Sequence, residues 1–545
     1  MIDANGGPAI NISTVALNLT PSRIDSQTST TFGVNLNAVT GTFTASGTST
    51  INTTSAAATA FRINGSNVAS TYNGTITATA GAGVSLTTNT GSTIAFTGTL
   101  NLSTGANPAF TATGGGTVTV SGLNNTITST TGTAMNLNGV SGAMSLRSVS
   151  ANGAADAITL TSTSVSLTVT GDGTGRANGS GGSISNATSH AGTFTTVSGT
   201  VTISSMNISL NTSAIYGMLF DNNSGGTVTA NFTGTTFTGV TSSVVQNKAL
   251  LQFEAGASAN VTANVQNSFF NGSRTYGVFA TGGGTSIVNV TLNQSGFGTD
   301  VNTGAAVDRP GTTITNAPAF GAGITNGSNA QVDYTITNNT FWGADASLGA
   351  LYALTISGAV TNAGSHLNGT ISSNNIGKAG VTGSGCNGNC AGIALLPGVG
   401  GTFNATVNGN DIRQVGAQGI NFFNSVTGAS GTSIGHITNN TLTEPVTGFT
   451  TFLRGIVVSA GNSGGSTANW CARVTGNTVS GTWQTANFIR ITTLNSTGIL
   501  TIPGLTPATG ATGAQVDTYI EGLNTIGAGN SNATVGGAIN AGTCP

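Results

Sequence analysis

The stretch Ile336-Thr-Asn-Asn-Thr-Phe341 carries a motif that specifies the architecture of this chain. Polar residues that include Asn lie between two apolar residues, and the last apolar residue is called an anchor below. Further copies of the motif are Ile371-Ser-Ser-Asn-Asn-Ile376, Val407-Asn-Gly-Asn-Asp-Ile412, Ile437-Thr-Asn-Asn-Thr-Leu442, Val474-Thr-Gly-Asn-Thr-Val479 and Leu523-Asn-Thr-Ile526, and degenerate copies end at Ile208, Phe237, Phe270 and Phe297. Successive anchors are 27 to 47 residues apart. A constant motif with variable spacing predicts a solenoid whose loops differ in length.

A second element recurs between the anchors, and it consists of Gly followed by an apolar run. The examples are Tyr216-Gly-Met-Leu-Phe220, Tyr276-Gly-Val-Phe279, Ala391-Gly-Ile-Ala-Leu-Leu396, Gln418-Gly-Ile-Asn-Phe-Phe423 and Arg454-Gly-Ile-Val-Val458. Alternation such as Thr117-Val-Thr-Val120 has the period of two residues that is typical of strands. Each coil is therefore expected to contain a polar Asn strand, a variable loop and an apolar strand that begins at Gly.

Charged residues are scarce, at 5% of the 545 residues, whereas an ordinary soluble domain has about 25%. The formal net charge is −2 and the 12 basic residues are scattered, which argues against nucleic acid as a partner because phosphate binding needs clustered Lys and Arg. No apolar run approaches the roughly 20 residues of a membrane helix, so no membrane insertion is expected. Apolar residues at strand period argue against a disordered Ser/Thr/Gly stalk.

In five copies of the motif an Asn lies two residues before the anchor. If these residues occupy one corner of successive coils, their side-chain amides are expected to stack and to bond to each other along the axis, as amides do in cross-β stacks. The members of this expected ladder are Asn339, Asn374, Asn410, Asn440 and Asn477.

These motifs resemble those of the right-handed parallel β-helix, the pectate-lyase-like superfamily, and in particular the β-helix repeat regions of large bacterial secreted or surface proteins. The resemblance implies an all-β fold with three parallel sheets and an aliphatic interior, at about 30–37 residues per coil, and it implies no lyase activity. Residues 1–113 are expected to form an N-terminal β-solenoid portion with a cap, and residues 114–545 a β-helix whose C-terminal coils are stabilised by disulfides. Candidate caps are residues 1–30 and the loop after Pro503.

The four cysteines are Cys386, Cys390, Cys471 and Cys544. Cys386 and Cys390 are close enough in sequence to form a local disulfide, in which case Cys471 and Cys544 are left to pair, although four cysteines allow three connectivities. No His lies near the first pair, so disulfides are favoured over zinc. Disulfides point to an oxidising compartment, and a secreted or cell-surface location is expected. The N-terminus has neither a basic region nor an apolar run, so we expect the chain to be a mature piece or a fragment of a longer secreted protein.

A polysaccharide lyase or hydrolase needs carboxylates clustered on one sheet face. The best local group is Asp411 with Arg413, flanked by Asp345 and Glu444 on neighbouring coils, and we interpret Asp411 as a ladder or turn residue. The sequence therefore predicts no catalytic site, no cofactor and no metal.

The leading hypothesis is a non-enzymatic extracellular structural or adhesive module, such as a surface protein, an adhesin passenger or a filament-forming subunit. Its expected partners are copies of itself end to end, or host or matrix glycans. The alternative is a carbohydrate-binding or polysaccharide-degrading β-helix, for which Trp342, Trp470 and Trp483 are the rings that would stack on sugars; packing in the core or in loops is the more ordinary interpretation of each.

Overall fold

The described residues form an all-β, right-handed parallel β-helix of 18 coils, which confirms the predicted fold class. Each coil contributes one strand to each of three parallel sheets, and coils are numbered here from the N-terminus, beginning at their sheet 1 strand. The computed structural model describes residues 1–240, 249–297, 318–342, 344–345, 352–358, 362–380, 382–398, 400–424, 430–446, 453–461, 467–484, 487–493, 499–527 and 530–544.

The strands of each sheet are given in coil order. Sheet 1 contains Ile2–Asn5, Ile24–Gln27, Thr50–Thr53, Thr75–Ala78, Leu100–Ser103, Thr126–Thr128, Ser148–Asn152, Ser183–Ala187, Asn207–Leu210, Thr236–Thr238, Phe269–Asn271, Gly296–Phe297, Thr340–Phe341, Asn375–Ile376, Asp411–Arg413, Thr441–Thr443, Thr478–Val479 and Thr525–Ile526. Sheet 2 contains Ile10–Ser13, Phe32–Asn37, Thr59–Asn64, Ala82–Thr87, Phe110–Thr113, Met135–Asn138, Asp156–Thr161, His190–Thr195, Tyr216–Asn222, Ala249–Ala255, Ser273–Gly282, Pro318–Asn326, Tyr352–Gly358, Ala391–Leu396, Gln418–Phe423, Arg454–Ala460, Ile489–Thr493 and Asn532–Val535. Sheet 3 contains Ala16–Leu19, Thr40–Ala45, Asn67–Tyr72, Thr93–Phe96, Thr117–Val120, Ser141–Leu146, Ser164–Val169, Gly199–Ser204, Thr227–Thr233, Asn260–Gln266, Ile287–Asn293, Gln331–Thr337, His366–Ser372, Thr402–Asn408, Thr432–Thr438, Asn469–Thr475, Ile499–Thr501 and Ala538–Asn540. Two short strands, Ala344–Asp345 and Cys386–Asn387, pair with each other outside the three sheets, and the helix α1 spans Gly513–Leu523.

Alternation of apolar and polar residues sorts the side chains between the interior and solvent. In Asn260–Gln266 the side chains of Val261, Ala263 and Val265 are buried, while Thr262 and Asn264 face outward. The same alternation in every coil produces one continuous apolar core that extends from Ile10 to Ile539. Apolar burial on this scale, at about 25 cal/mol per Å², is the main stabilising contribution in a chain with few ion pairs.

The predicted anchors face one another in successive sheet 1 strands, as expected for a solenoid. Each anchor from Ile208 onward pairs in register with the next, through to Ile526. Four of them form a stack of phenyl rings inside the core, with centroids 4.5 to 5.0 Å apart: Phe237, Phe270, Phe297 and Phe341.

Coil length differs between the two ends of the molecule, and the N-terminal coils are shorter than the expected 30–37 residues. Ile51 pairs with Ile76, 25 residues later, and Thr126 pairs with Ser148, 22 residues later. Near the other end, Val479 pairs with Ile526, 47 residues later. The short coils result from turns of a few residues in the left-handed conformation, such as Gly139 (φ 65°) and Ser162 (φ 48°), with no inserted loop. The sheets run without interruption through the expected boundary at residue 113.

The two expected caps differ in structure. Residues 1–30 form coil 1 and the start of coil 2 rather than a separate cap. After Pro503 the chain forms α1, which begins with a capping box between Thr512 and Gln515. Its buried residues Val516 and Ile520 join the core of the last coils.

Both proposed disulfides are present, which confirms the favoured pairing. Cys386 is bonded to Cys390 within one loop, and Cys471 in coil 16 is bonded to Cys544, which follows the last strand of coil 18. The second bond therefore joins the C-terminal segment to the sheet 3 strand of an earlier coil.

Candidate functional site

The five predicted ladder residues form one buried column at the turn between sheet 3 and sheet 1. Asn339 Nδ2 donates to Asn374 Oδ1 at 3.0 Å, and the corresponding bonds of the next three coils measure 2.9 Å. Each amide nitrogen also donates to a backbone carbonyl one coil earlier, for example Asn374 Nδ2 to Ile336 O at 2.9 Å. Each amide oxygen accepts in addition the backbone N–H of its neighbour at 2.9 to 3.0 Å. The side chains are at most 1% exposed, so the column satisfies polar groups that water does not reach.

The column extends beyond the predicted residues in both directions. Asn477 Nδ2 donates to Asn524 Oδ1 at 2.9 Å, and Ser295 N donates to Asn339 Oδ1 at 2.9 Å. Ser268 N donates in turn to Ser295 Oγ at 3.2 Å. All three additional residues lie two positions before an anchor, so the same positional rule identifies them once Ser is accepted in place of Asn.

A left-handed residue immediately before the column makes the turn possible. Asn338 (φ 57°), Ser373 (φ 55°) and Asn439 (φ 56°) hold this position in three coils, and Gly409 and Gly476 hold it in two others. Asn and Gly tolerate this conformation better than most residues. The motif thus combines two adjacent structural features: a left-handed residue that forms the turn, and the side-chain amide of the next residue, which joins the column.

Asp411 and Glu444 both lie against the guanidinium of Arg413, so most of the predicted polar group is brought together. Arg413 Nε donates to Asp411 Oδ1 at 2.9 Å, and Arg413 Nη2 donates to Asp411 Oδ2 at 2.8 Å. Arg413 Nη1 lies 3.5 Å from Glu444 Oε1. Asp345 lies in the short strand Ala344–Asp345, and its side chain is outside the described part of the structure.

Glu444 is held as a carboxylate by local hydrogen bonds. The backbone N–H of Gly380 donates to Glu444 Oε2 at 3.0 Å, and Gln414 Nε2 donates to the same oxygen at 3.1 Å. These two bonds, and then the charge of Arg413, hold the pKa of Glu444 below its usual value. A general acid needs a raised pKa, so the lowered pKa of Glu444 does not suit that role.

The three Trp side chains are all buried, with exposures of 2 to 4%. Trp470 packs on Phe422 in the core at 4.7 Å between centroids. Lys378 Nζ lies 5.0 Å above the Trp342 ring, and Trp483 Nε1 donates to Ser480 O at 3.0 Å. None of these rings presents a face on which a sugar could stack.

An unpredicted group of aromatic and carboxylate side chains lies on the outer surface of sheet 2 in coils 9 to 13. We call it the aromatic face, and its residues are Asp221, Asn223, Gln252, Glu254, Tyr276, Phe279, Gly323 and Tyr352. The rings of Tyr276 and Phe279 pack together at 4.7 Å between centroids, and both are half-buried. A Cβ atom at Gly323 would collide with Tyr276 Cε1 and would lie 3.0 Å from Phe279 Cδ2. The two rings of coil 11 therefore lie against the backbone of coil 12 at Gly323. Glycine leaves room for them because it has no Cβ atom.

Tyr352 is the third ring of the aromatic face. Burial, and then the neighbouring Tyr352, raise the pKa of Tyr276, and burial raises the pKa of Tyr352. Both phenols therefore stay protonated at neutral pH and keep a hydroxyl that donates and accepts.

Two carboxylates adjoin the rings on the N-terminal side. Asp221 and Glu254 are register partners in neighbouring coils. Asn223 bridges them, because its backbone N–H donates to Asp221 Oδ1 at 3.2 Å and its Nδ2 donates to Glu254 Oε2 at 2.8 Å. Gln252 Nε2 contacts Glu254 Oε1. Among the described side chains neither carboxylate forms an ion pair, and like charges opposite each other in a sheet are unfavourable.

The aromatic face continues toward the N-terminus through His190. Its ring stacks on Tyr216 at 5.6 Å between centroids, and its Nδ1 lies 2.7 Å from Asp156 Oδ1 and 2.8 Å from Ser189 Oγ. Because the same nitrogen contacts both Asp and Ser, the arrangement is not that of a Ser-His-Asp triad, in which the two ring nitrogens have different partners.

Sequence reasoning missed the aromatic face because its residues belong to runs that we interpreted as apolar core strands. The available signal was the two-residue period of Val278, Phe279 and Ala280, which indicates the orientation of Phe279 but not that of Tyr276, three residues earlier. Val278 and Ala280 face inward with exposures of 0%, so Phe279 between them must face outward.

A scan against protein-family models and searches of curated proteins and of solved structures found no match. In the described residues no helix has the length and apolarity needed to cross a bilayer, and no three His, Cys, Asp or Glu side chains are grouped as metal ligands are. The fold and the disulfides are thus the features that define the class, a disulfide-bonded parallel β-helix.

Proposed function

We propose that this chain is a non-enzymatic extracellular module, a stiff β-solenoid that holds an adhesive surface at a fixed position along its length. The observation that carries the proposal is the unbroken interior, in which one apolar core runs through all 18 coils and a column of bonded amides and hydroxyls runs through the C-terminal half. A helix built in this way resists bending, because bending separates coils that share both core contacts and buried hydrogen bonds.

Two further observations support an extracellular, non-catalytic role. The disulfides Cys386–Cys390 and Cys471–Cys544 persist in oxidising compartments. The carboxylates of Asp411 and Glu444, the group most similar to a catalytic cluster, accept hydrogen bonds from Arg413, from Gln414 and from the backbone N–H of Gly380.

Stiffness is tested by single-molecule energy transfer between two dyes introduced through unnatural amino acids. Leu123, which is 82% exposed, follows the sheet 3 strand of coil 5, and Ile499, which is 38% exposed, begins that of coil 17. Twelve steps of about 4.8 Å separate these coils by roughly 58 Å. We expect one narrow distance distribution near that value, and a broad or shorter distribution would overturn the proposal.

Carbohydrate binding is the second candidate function, and the aromatic face is the observation that favours it. The three Trp rings are buried, whereas Tyr276 and Phe279 are among the described aromatic side chains that are only half-buried. A polysaccharide-degrading activity is tested separately, by incubating the protein with soluble polysaccharides and measuring new reducing ends and unsaturated products. We expect neither.

A further inference from the structure

We propose that a cavity beside α1 binds a small aromatic carboxylic acid, with Arg473 as the partner of the carboxylate. The cavity has a volume of about 270 Å³ and lies between the end of the sheet 3 strand of coil 16, residues 502–504 and the second half of α1. The inference goes beyond the function proposed above, because it concerns a small ligand rather than the adhesive surface.

The cavity forms where the sheet 3 strand of coil 17 ends early. That strand, Ile499–Thr501, pairs with coil 16 at Trp470 and Cys471. It ends at Thr501, so Arg473 and the two residues after it extend beyond it. Residues 502–504 then leave the sheet, and α1 returns beside the end of the coil 16 strand.

Hydrogen bonds hold the three walls of the cavity together. The Tyr519 hydroxyl donates to Pro503 O at 2.6 Å, which joins α1 to the loop. Asn524 Nδ2 donates to Val474 O at 3.0 Å, which joins the end of α1 to coil 16. Gly504 has a φ of 80°, and a Cβ atom there would collide with the Tyr519 hydroxyl. Walls fixed in this way form a largely pre-organised site, which reduces the cost of ordering on binding.

The charges around the cavity favour an anionic ligand. Arg473 lines the cavity and is exposed, and among the described side chains it forms no ion pair. The two acidic residues of α1, Asp517 and Glu521, accept hydrogen bonds from Ser531 instead. A guanidinium offers two parallel N–H donors that match the geometry of a carboxylate.

The neighbour of Arg473 in the sheet adds no competing negative charge. His436 in coil 15 is its register partner. Burial, and then the charge of Arg473, lower the pKa of His436, so this imidazole is neutral at neutral pH. Arg473 is therefore the cation that a ligand in the cavity would meet.

The remaining walls suit an apolar body of the size of one ring. Pro503, the ring of Tyr519 and Leu523 line the cavity, and Leu523 is 37% exposed. A cavity of about 150 Å³ holds benzene, so about 270 Å³ has room for a ring with a carboxylate attached. The hydroxyls of a sugar acid would be left without partners against Pro503 and Leu523, which disfavours that class of anion.

The test is saturation-transfer NMR of the full, unreduced chain with phenylacetate as the probe. Its neutral analogue 2-phenylethanol tests the need for the charge, and glucuronate tests the need for the apolar ring. Arg473→Gln removes the cation, and its matched control is Arg490→Gln, which removes a cation from sheet 2 of coil 17. Leu523→Ala opens the apolar wall, and its control is Leu123→Ala, another exposed Leu in a distant coil. Circular dichroism and urea unfolding check that each variant is folded.

We expect phenylacetate to bind, and Arg473→Gln to weaken its affinity by about tenfold or more, because a charge-assisted hydrogen-bonding partner is lost. Leu523→Ala should weaken it by roughly threefold through the loss of apolar contact, and both control variants should bind as wild type does. The inference is overturned if phenylacetate does not bind, if 2-phenylethanol or glucuronate binds as tightly, or if Arg473→Gln and Arg490→Gln bind phenylacetate alike.

Discussion

Replacement of Asn410 by Ala should lower the stability of coils 14 to 16 far more than an equivalent change at the surface. Asn410 Oδ1 accepts from Asn374 N at 3.0 Å and from Asn374 Nδ2 at 2.9 Å, and Asn410 Nδ2 donates to Ile371 O at 3.0 Å and to Asn440 Oδ1 at 2.9 Å. After truncation Asn374 Nδ2 keeps Ile336 O, and Asn440 Oδ1 keeps the backbone N–H of Asn410. The backbone N–H of Asn374 and the backbone carbonyl of Ile371 each lose their hydrogen bond to the Asn410 side chain, which leaves two buried polar groups without that partner.

Each buried polar group left unsatisfied costs about 1–3 kcal/mol, so the expected loss is about 2–6 kcal/mol. The assay is hydrogen exchange of the native protein combined with urea unfolding, because a solenoid opens locally before it unfolds as a whole. Asn408→Ala is the control, since Asn408 accepts from Thr438 and Asn439 at the surface, and its loss should cost about 1 kcal/mol or less. Asn410→Ser should be intermediate, because Ser295 fills the equivalent position between coils 11 and 12 with one hydroxyl. If Asn410→Ala and Asn408→Ala are equally stable, the column does not stabilise the fold and the reasoning fails.

Three further predictions follow from other parts of the structure. Removing the disulfide Cys471–Cys544 by the double change to Ser should lower the free energy of unfolding by about 4 kcal/mol, and removing Cys386–Cys390 in the same way should lower it by only about 2 kcal/mol. The bonds close loops with sequence separations of 73 and 4, and the longer loop restricts the unfolded chain more. Urea unfolding that ranks the two double variants in the opposite order would contradict this prediction. Phe297→Ala should cost about 3–5 kcal/mol by opening the phenyl stack between Phe270 and Phe341, whereas Phe423→Ala on the outer face should cost less. The pKa of Glu444 is depressed in the folded state, so its stabilising contribution is present above its unfolded pKa and is lost as the pH falls through the folded value. The unfolding midpoint of wild type should therefore exceed that of Glu444→Gln at pH 7 and approach it at acid pH, where the carboxylate is protonated. A difference that stays constant between neutral and acid pH would refute the assignment.

The sequence predicted the C-terminal coils well because a short local motif contains most of the information. The anchors alternate with a left-handed corner and a buried amide, so their register could be read from Ile336-Thr-Asn-Asn-Thr-Phe341 and its copies. Most of the N-terminal coils lack this motif. One further copy, Leu123-Asn-Asn-Thr-Ile127, lies at the same turn: Asn124 (φ 58°) is its left-handed corner, and the buried Asn125 accepts from Leu100 N at 2.8 Å and donates to Ser145 O at 2.9 Å. The N-terminal coils therefore supplied few anchors from which a period could be measured. Their length of 22 to 25 residues was consequently overestimated.

The aromatic face could not be predicted from any single sequence motif, because its residues come from several coils. Phe279 faces outward because of the phase of one strand, and its ring lies flat because Gly323, 44 residues later, pairs beside it. Asp221 and Glu254 become neighbours only through the register of coils 9 and 10. A pair of residues in adjacent coils can be predicted only when the length of the intervening loop is known, and loop length is the variable feature of this chain.

The most direct test of the central claim is negative-stain electron microscopy of the purified, unreduced protein. Eighteen coils at about 4.8 Å per step predict straight particles about 80 Å long, of uniform width and with no bend between the short-coil and long-coil portions. Compact particles of equal dimensions, or elongated particles that bend at a fixed point, would contradict a single continuous β-helix.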